Sequence, residues 1–374
     1  MAKAHDIVIV GGGVIGCAIA YRLAKEGADV LVLERDQVGS GASQAAAGML
    51  APLSDSLGHA ALVDLGVESF GLYPSFIAEI EADGGLSVEC MESGILRIAF
   101  TDEDEDGMKA LGSLAAERGL EVSWLGPKQA LSLEPQLSSQ IRGASYSPNE
   151  PQLNPSQLVE TIRRAAVARG ATFREQTPVT GLALEGSKVV GVRTPDATVA
   201  AGQVVLAAGS WSSHAVEWMG ATVPVSPVRG QIAYVNKLDR PLRHTIMHGG
   251  TYAVPKGNGT TLVGTTLEDA GFDPRATAGG VASFLTRIQD LVPAIAETTV
   301  NHTRAGLRPR AYDELPILGP APGVEGLILA TGHYRSGILL APVTERMIGD
   351  LILKGPDAVD LGVFNAARLE KAPV

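Results

Sequence analysis

The chain has 374 residues, 45% of them hydrophobic, with 44 Gly, 22 Pro and a formal net charge of −11. That length holds two domains or one large one, and the acidic balance argues against a nucleic-acid partner, which needs clustered Lys and Arg. No clean apolar run reaches about 20 residues, the length of a membrane span, so no membrane partner is expected. Cys17 and Cys90 are the only cysteines, so neither a disulfide framework nor a Cys-rich metal site is supported, and a reducing, cytoplasmic setting is expected.

Residues 6–34, DIVIVGGGVIGCAIAYRLAKEGADVLVLE, read as a strand, a glycine turn, a helix and a second strand. Gly11, Gly13 and Gly16 stand in G-x-G-x-x-G spacing. In that motif the first glycine allows the tight turn, the second lets the backbone approach a pyrophosphate, and the third lets the helix pack on the sheet. The helix N-terminus offers unpaired N–H groups and a positive dipole end to phosphates. Glu34 closes the second strand, where a carboxylate accepts both ribose hydroxyls of an adenosine and repels a 2′-phosphate. A dinucleotide site for NAD or FAD is therefore expected. The small apolar run after Lys3 also resembles a secretory signal, but three glycines interrupt it and Arg22, Lys25 and Glu26 follow, which suits a folded helix.

Residues 35–52 form a loop rich in glycine, alanine and serine that is too apolar to be solvated, and they suit close wrapping of an extended ligand. Helices are expected over 58–82, from the acidic 101–107 to 118, over 126–140 and over 155–169, with strands over 88–100 around Gly94. The acids at 101–107 favour a helix N-terminus over a metal site. Strands follow near 172–173, 182–184 and 189–192, and VVLAAGSW, 204–211, reads as a buried strand ending at Gly209 in a second cofactor-facing junction. Residues 228–268 alternate strand runs with glycine turns, which reads as antiparallel sheet, and a helix is expected over 276–291. GLILATG, 326–332, is a third buried strand, and 333–353 a turn entering a long helix. The expected architecture is α/β plus α+β: a discontinuous Rossmann-like domain (1–85, 145–215, 305–374) with an inserted antiparallel-sheet substrate domain (86–144, 216–304).

Three polar constellations stand out: AGLRPR at 305–310, TGHYRSG at 331–337, and Tyr252 on an inserted strand. Arg308, in an apolar and glycine context, suits a carboxylate anchor, because a guanidinium binds carboxylates bidentately. His333 reads either as a general base or as a histidine that hydrogen-bonds a backbone group. The sequence holds no G-x-S-x-G and no H-E-x-x-H, and this scarcity of acid–base and metal equipment fits redox chemistry carried by a cofactor. A helix N-terminus near residues 335–337, with Arg335, would stabilise negative charge on a reduced flavin.

In combination, GGGVIGCAIAYRLAKEGADVLVLER, SGASQAAAGMLAP, VVLAAGSW, GLRP and GHYRSGILLAP resemble the D-amino-acid oxidase superfamily of FAD enzymes. Within it they are most similar to the glycine oxidases, which supply the glycine imine for the thiazole of thiamine. The resemblance implies FAD contacts at Val14, Ile15, Glu34, Arg35, Ala42, Ser43, Ala47, Gly48 and Met49. It also implies an adenine-side contact at Val179 and flavin contacts along His333, Tyr334, Arg335, Ser336, Gly337, Ile338 and Leu339. Arg308 would hold the substrate carboxylate, assisted by Tyr252, with Arg335 beside the substrate. The implied reaction oxidises glycine, sarcosine or a small D-amino acid to the imine. A neutral amine gives up hydride with no protein base, and molecular oxygen is converted to peroxide. Noncovalent FAD is expected, because no cysteine follows Cys90, and the family suggests a homotetramer. Two departures concern substrate preference: Leu267 stands where a pocket methionine is expected, and Ser336 where asparagine is expected. The alternative is a D-amino-acid or secondary-amine dehydrogenase with another electron acceptor.

Overall fold

The computed structural model describes residues 4–53, 59–215, 218 and 223–371. β1 (His5–Val10), α1 (Val14–Lys25) and β2 (Val30–Leu33) form the strand–helix–strand unit. A single 3-10 turn, Ala42–Ala45, interrupts the loop before α2 (Ala60–Gly84); position 58 of the expected helix lies outside the described residues. β3 (Cys90–Met91), β4 (Ile95–Ala99) and α3 (Asp102–Ala116) follow. The acids of α3 sit in a capping box, with the Asp104 N–H donating to Thr101 Oγ1 at 3.1 Å and the Thr101 N–H to the Asp104 carboxylate at 3.0 Å. β5 (Ser123–Leu125) precedes α4 (Pro127–Leu133). The helix expected over 126–140 stops there because Pro135 holds Glu134 in extended backbone, at φ −129° and ψ 92°.

Next come β6 (Gly143–Ser147), β7 (Gln152–Leu153), α5 (Pro155–Ala168), β8 (Thr172–Arg174), β9 (Gly181–Glu185), β10 (Lys188–Arg193) and β11 (Thr198–Leu206). β12 (Val225–Val235), β13 (Thr245–His248), β14 (Thr251–Pro255), β15 (Thr261–Gly264) and α6 (Ala278–Leu291) follow. β16 (Val300–Ala311), β17 (Ile317–Pro320), β18 (Leu327–Thr331) and α7 (Ala341–Lys354) complete the set.

The first sheet runs β17-β18-β11-β1-β2-β8, with β9 and β10 attached through β11. β1 lies parallel to both β2 and β11, and β11 is parallel to β18. Ile7, Ile9, Val30 and Val32 face α1, α2, α5 and α7, while Val8, Val10, Leu31 and Leu33 face β9 and β10. Burial on both faces explains why these strands are unbroken apolar runs.

The second sheet runs β16-β12-β15-β14-β13-β4-β6-β5 and is antiparallel except where β13 pairs with β4. On β14, Ala253 points to α6 and the core around Phe284, while Tyr252 and Val254 point to the cofactor loop with Ala47 and Ala51. β6 and β16 cross the sequence-drawn boundaries at 144/145 and 304/305, and both lie whole in this sheet. The strand β16 is not read from the sequence, since its glycine, proline and arginines hide the alternation at 305–310. As the sheet's edge it tolerates Pro309.

Candidate active site

A cavity of about 500 Å³ is walled by the ends of both sheets. At one end Gly11 turns at φ +110°, and a Cβ there would lie 2.5 Å from the Ala207 carbonyl oxygen. Gly13 caps α1 with no side chain, and a Cβ on it would meet only Ser43 Oγ, at 3.5 Å. Val14 and Ile15 begin the helix and line the wall, and the Val14 N–H donates to Ser43 Oγ at 3.1 Å. Glu34 accepts from the N–H of Gly12 at 2.7 Å and of Asp36 at 2.9 Å, which fixes its carboxylate beside the helix start. The Arg35 guanidinium stacks 3.7 Å above the Trp211 ring, and Val179 closes this end. Gly16 does not line the cavity. A Cβ there would lie 2.0 Å from the Gly11 carbonyl oxygen, so its work is the packing of helix on turn.

The middle of the wall is the small-residue loop. Ala42, Ser43, Ala47, Gly48 and Met49 all line it, together with Ala51. Gly48 adopts φ +84°, and a Cβ there would lie 2.1 Å from the Leu153 carbonyl oxygen. The buried Lys256 ammonium donates to the carbonyl of Ala47 at 2.8 Å and to Gln152 Oε1 at 2.6 Å, which ties this loop to β14. Burial pushes that ammonium down to about 7.

Residues 333–339 follow β18 and line the cavity continuously, as does Gly209 three residues past the end of β11. The helix expected near 335–337 begins later, at Ala341, because Tyr334 takes a left-handed φ of 47° and Pro342 suits the first turn. The intervening turn has the same utility: the N–H groups of Gly337, Ile338 and Leu339 have no acceptor among the described residues. Two side chains of α2 hold the segment, with Ser69 Oγ donating to the Leu339 carbonyl at 2.6 Å and Tyr73 Oη to the Ile338 carbonyl. Ser336 is buried, its N–H donating to the His333 carbonyl at 2.9 Å. His333 lines the cavity, but among the described residues its ring is not bonded to backbone. Its Nε2 pairs with Thr344 Oγ1 at 3.0 Å, and burial pushes the imidazole down to about 3, leaving it neutral.

At the far end Arg308 on β16 and Tyr252 on β14 line the same wall, with Arg335 also facing it. Arg308 donates through Nη2 to Thr265 Oγ1 at 2.9 Å and through Nη1 to the Thr266 carbonyl at 3.1 Å. Tyr334 N–H donates to the Pro309 carbonyl at 2.9 Å, which joins the arginine strand to the 333–339 turn. The lining carboxylates, Glu34 and Asp36, both belong to the other end. Leu267 corrects an expectation: it is 54% exposed and off the cavity wall.

Sequence reading missed Ser69, Tyr73, Thr265, Thr266 and Lys256. Only the first two leave a local signal: a polar pair one helical turn apart on the buried stripe of α2. Among the described residues, no group of three or more His, Cys, Asp or Glu is placed to hold a metal ion, and no helix is long and apolar enough to cross a membrane.

The wall offers an acid for a ribose, a helix start for a pyrophosphate and a row of N–H groups for a polar ring edge, so its residues fit FAD. Residues 6–351 match the family described as DAO, FAD dependent oxidoreductase, and the chain belongs to this FAD-dependent family. It is 36% identical to the glycine oxidase of Geobacillus kaustophilus, over 98% of each chain. The crystal structure of glycine oxidase from that organism superposes with a TM-score of 0.93, covering 98% of this chain and 99% of the other. The glycine oxidase of Bacillus subtilis is 33% identical over 94% of each chain. The bifunctional protein ThiO/ThiG of a Nostoc species is 34% identical over 98% of this chain, which spans 55% of that longer protein.

Proposed function

We propose that this protein oxidises glycine, and with it sarcosine and small D-amino acids, to the imine and thence glyoxylate, with oxygen as electron acceptor and peroxide as product. The observation that carries the proposal is the Arg308 guanidinium, braced at 2.9 and 3.1 Å on the cavity wall beside Tyr252 and opposite the nucleotide end. Likeness to glycine oxidases and to ThiO/ThiG supports the substrate and a role in supplying thiamine thiazole synthesis.

FAD, when held by the cavity wall, would supply the two-electron oxidation of the amine and the link to oxygen. Everything else falls to the chain. Two of the five guanidinium N–H groups of Arg308 are used by Thr265 and Thr266, which leaves the others for a substrate carboxylate. Tyr252 donates its hydroxyl to the same carboxylate. Arg335 lies beside the substrate and adds positive charge. Among the described residues no carboxylate lines this end and His333 is engaged with Thr344, so no protein base is assigned and the neutral amine is taken as the reacting form. Gly11, Gly13, Glu34 and the loop 42–49 hold the nucleotide half, and the 337–339 N–H groups hold the ring. The FAD is taken as noncovalent, supported by the absence of Cys17 and Cys90 from the cavity wall, and acid treatment should then release all the colour. The nucleotide half and the second sheet form two domains whose boundaries fall at the ends of β6 and β16. Cytoplasmic location, from the scarcity of cysteine, and a homotetramer, from family resemblance, belong to the same proposal.

The test is peroxide release by the purified yellow protein with glycine, sarcosine, D-alanine, D-proline and L-alanine. Peroxide with glycine and little with L-alanine is the expected result. Bleaching under argon without peroxide in air would move the protein to the dehydrogenases. Arg308→Ala should lower kcat/KM by on the order of 100-fold, about 3 kcal/mol for a charge-assisted pair, chiefly through KM. Loss of that effect would overturn the anchor.

A further inference from the structure

Gly230 sits in the interior of β12, paired with Gly306 of β16, and Arg308 projects two residues further along that neighbouring strand. A Cβ built on Gly230 would lie 2.0 Å from Arg308 Nη1 and 2.2 Å from both Cζ and Nη2. Its three nearest atoms would thus all belong to the guanidinium. Gly230 is not among the glycines with positive φ, so the backbone itself accepts any residue. Glycine in a strand interior is unfavourable, since it packs nothing and loses more entropy on folding than other residues. The local structure gives no reason for glycine here except the arginine head lying across it.

The rest of the cradle comes from the same stretch of β12. Thr265 Oγ1 donates its proton to the Gln231 carbonyl at 3.0 Å, so its lone pairs face Arg308 Nη2. The Gln231 N–H donates to Thr266 Oγ1 at 3.1 Å and holds the residue whose carbonyl receives Nη1. Tyr252 is seated in the same way, its ring over Gly264, where a Cβ would lie 2.7 Å from a ring carbon. Both groups that would grip a substrate carboxylate therefore rest on glycine.

We infer that Gly230 is the positioning residue for Arg308: the absence of a side chain at 230 sets how deeply the guanidinium sits, and so where a substrate carboxylate docks. This rests on the reading of Arg308 as the carboxylate anchor. The obstructing atoms are the free end of a long side chain, so a methyl at 230 displaces the guanidinium into the cavity and leaves the sheet intact.

The experiment is a double-mutant cycle of Gly230→Ala and Arg308→Lys on the FAD-loaded protein. It reads kcat and KM for glycine from peroxide release, the bound flavin spectrum with and without acetate as a carboxylate probe, and the melting temperature. Gly230→Ala should raise KM tenfold or more and weaken the acetate-induced spectral change in parallel. kcat should stay within twofold, and the ligand-free spectrum and melting temperature should hold. In the Arg308→Lys background the same change should alter KM less than twofold. An unchanged KM in Gly230→Ala, or an equal loss in both backgrounds, overturns the inference. If Gly230→Ala does not fold, Gly230→Ala with Arg308→Ala decides: restored folding supports the cradle and continued misfolding overturns it. The two failures are distinguishable. If Arg308→Ala itself leaves KM unchanged, the carboxylate reading fails. If it raises KM while Gly230→Ala does not, the positioning inference alone fails.

Discussion

At its nucleotide end the cavity is walled by backbone: the turn at Gly11, the helix start after Gly13, the loop at Gly48 and the turn at 337–339. At its substrate end it is walled by side chains, Arg308 and Tyr252, each seated on a glycine of another strand, with Arg308 also braced by Thr265 and Thr266 just after β15. Parallel strands ending in glycine bring many N–H groups to one point, which suits a large ligand bound all along its length. An antiparallel sheet presents alternate side chains on one face, which suits a few directed contacts to a small ligand. The nucleotide end should therefore fail as a whole when its backbone is disturbed, and the substrate end contact by contact.

Beyond the arginine variants, the largest effect should come from Gly11→Ala. With φ at +110° and the Ala207 carbonyl 2.5 Å from the new Cβ, strain and clash together should cost about 3 kcal/mol or more. Denaturant unfolding and loss of the yellow colour measure it, and a variant that keeps full FAD would contradict the backbone account. Tyr73→Phe should be milder. It strips the Ile338 carbonyl of its phenol donor, worth about 1–2 kcal/mol for a buried group. FAD should be held several-fold less tightly by equilibrium titration, with KM for glycine unchanged. A changed KM would mean that the two ends are not separable.

The smallest effect concerns the helical layer behind the nucleotide end. Glu345 on α7 has an Oε2 sealed from solvent without a hydrogen-bond partner among the described residues. Burial pushes its carboxyl up from 4.5 to about 8, against the pull of Arg22 and Lys25. The folded chain keeps a proton that the unfolded chain releases, so this group's contribution falls as pH rises from 4.5 to 8. Glu345→Gln should raise the melting temperature at pH 8 and leave it nearly unchanged at pH 4. Equal shifts at both values would refute the titration.

Read from residues alone, the nucleotide end was largely visible. Gly11, Gly13 and Glu34 lie within one strand–helix–strand stretch, and 204–209 and 326–332 repeat the strand-to-glycine junction, so local periodicity is enough to find them. Gly16 shows the limit of a motif, because the spacing is right but the residue packs helix on turn instead of touching the cavity. Arg308 and Tyr252 stood out by residue type. The strand under Arg308 did not, since Gly306, Pro309 and three arginines mask its alternation.

Local sequence thus determined the turns, the helix starts and the acid, because each depends on neighbours a few residues away. Tertiary structure decided the rest: that Leu267 faces outward, that His333 turns to Thr344, and that Gly230 lies beneath Arg308. The place of Gly230 beneath Arg308 depends on the register of β12 against β16, and that of Leu267 on the end of β15 beside it, pairings between segments far apart in the chain, while His333 is set by the packing of the turn between β18 and α7. Register is chosen by the packing of whole faces, and a slip of one residue would send every side chain to the opposite face.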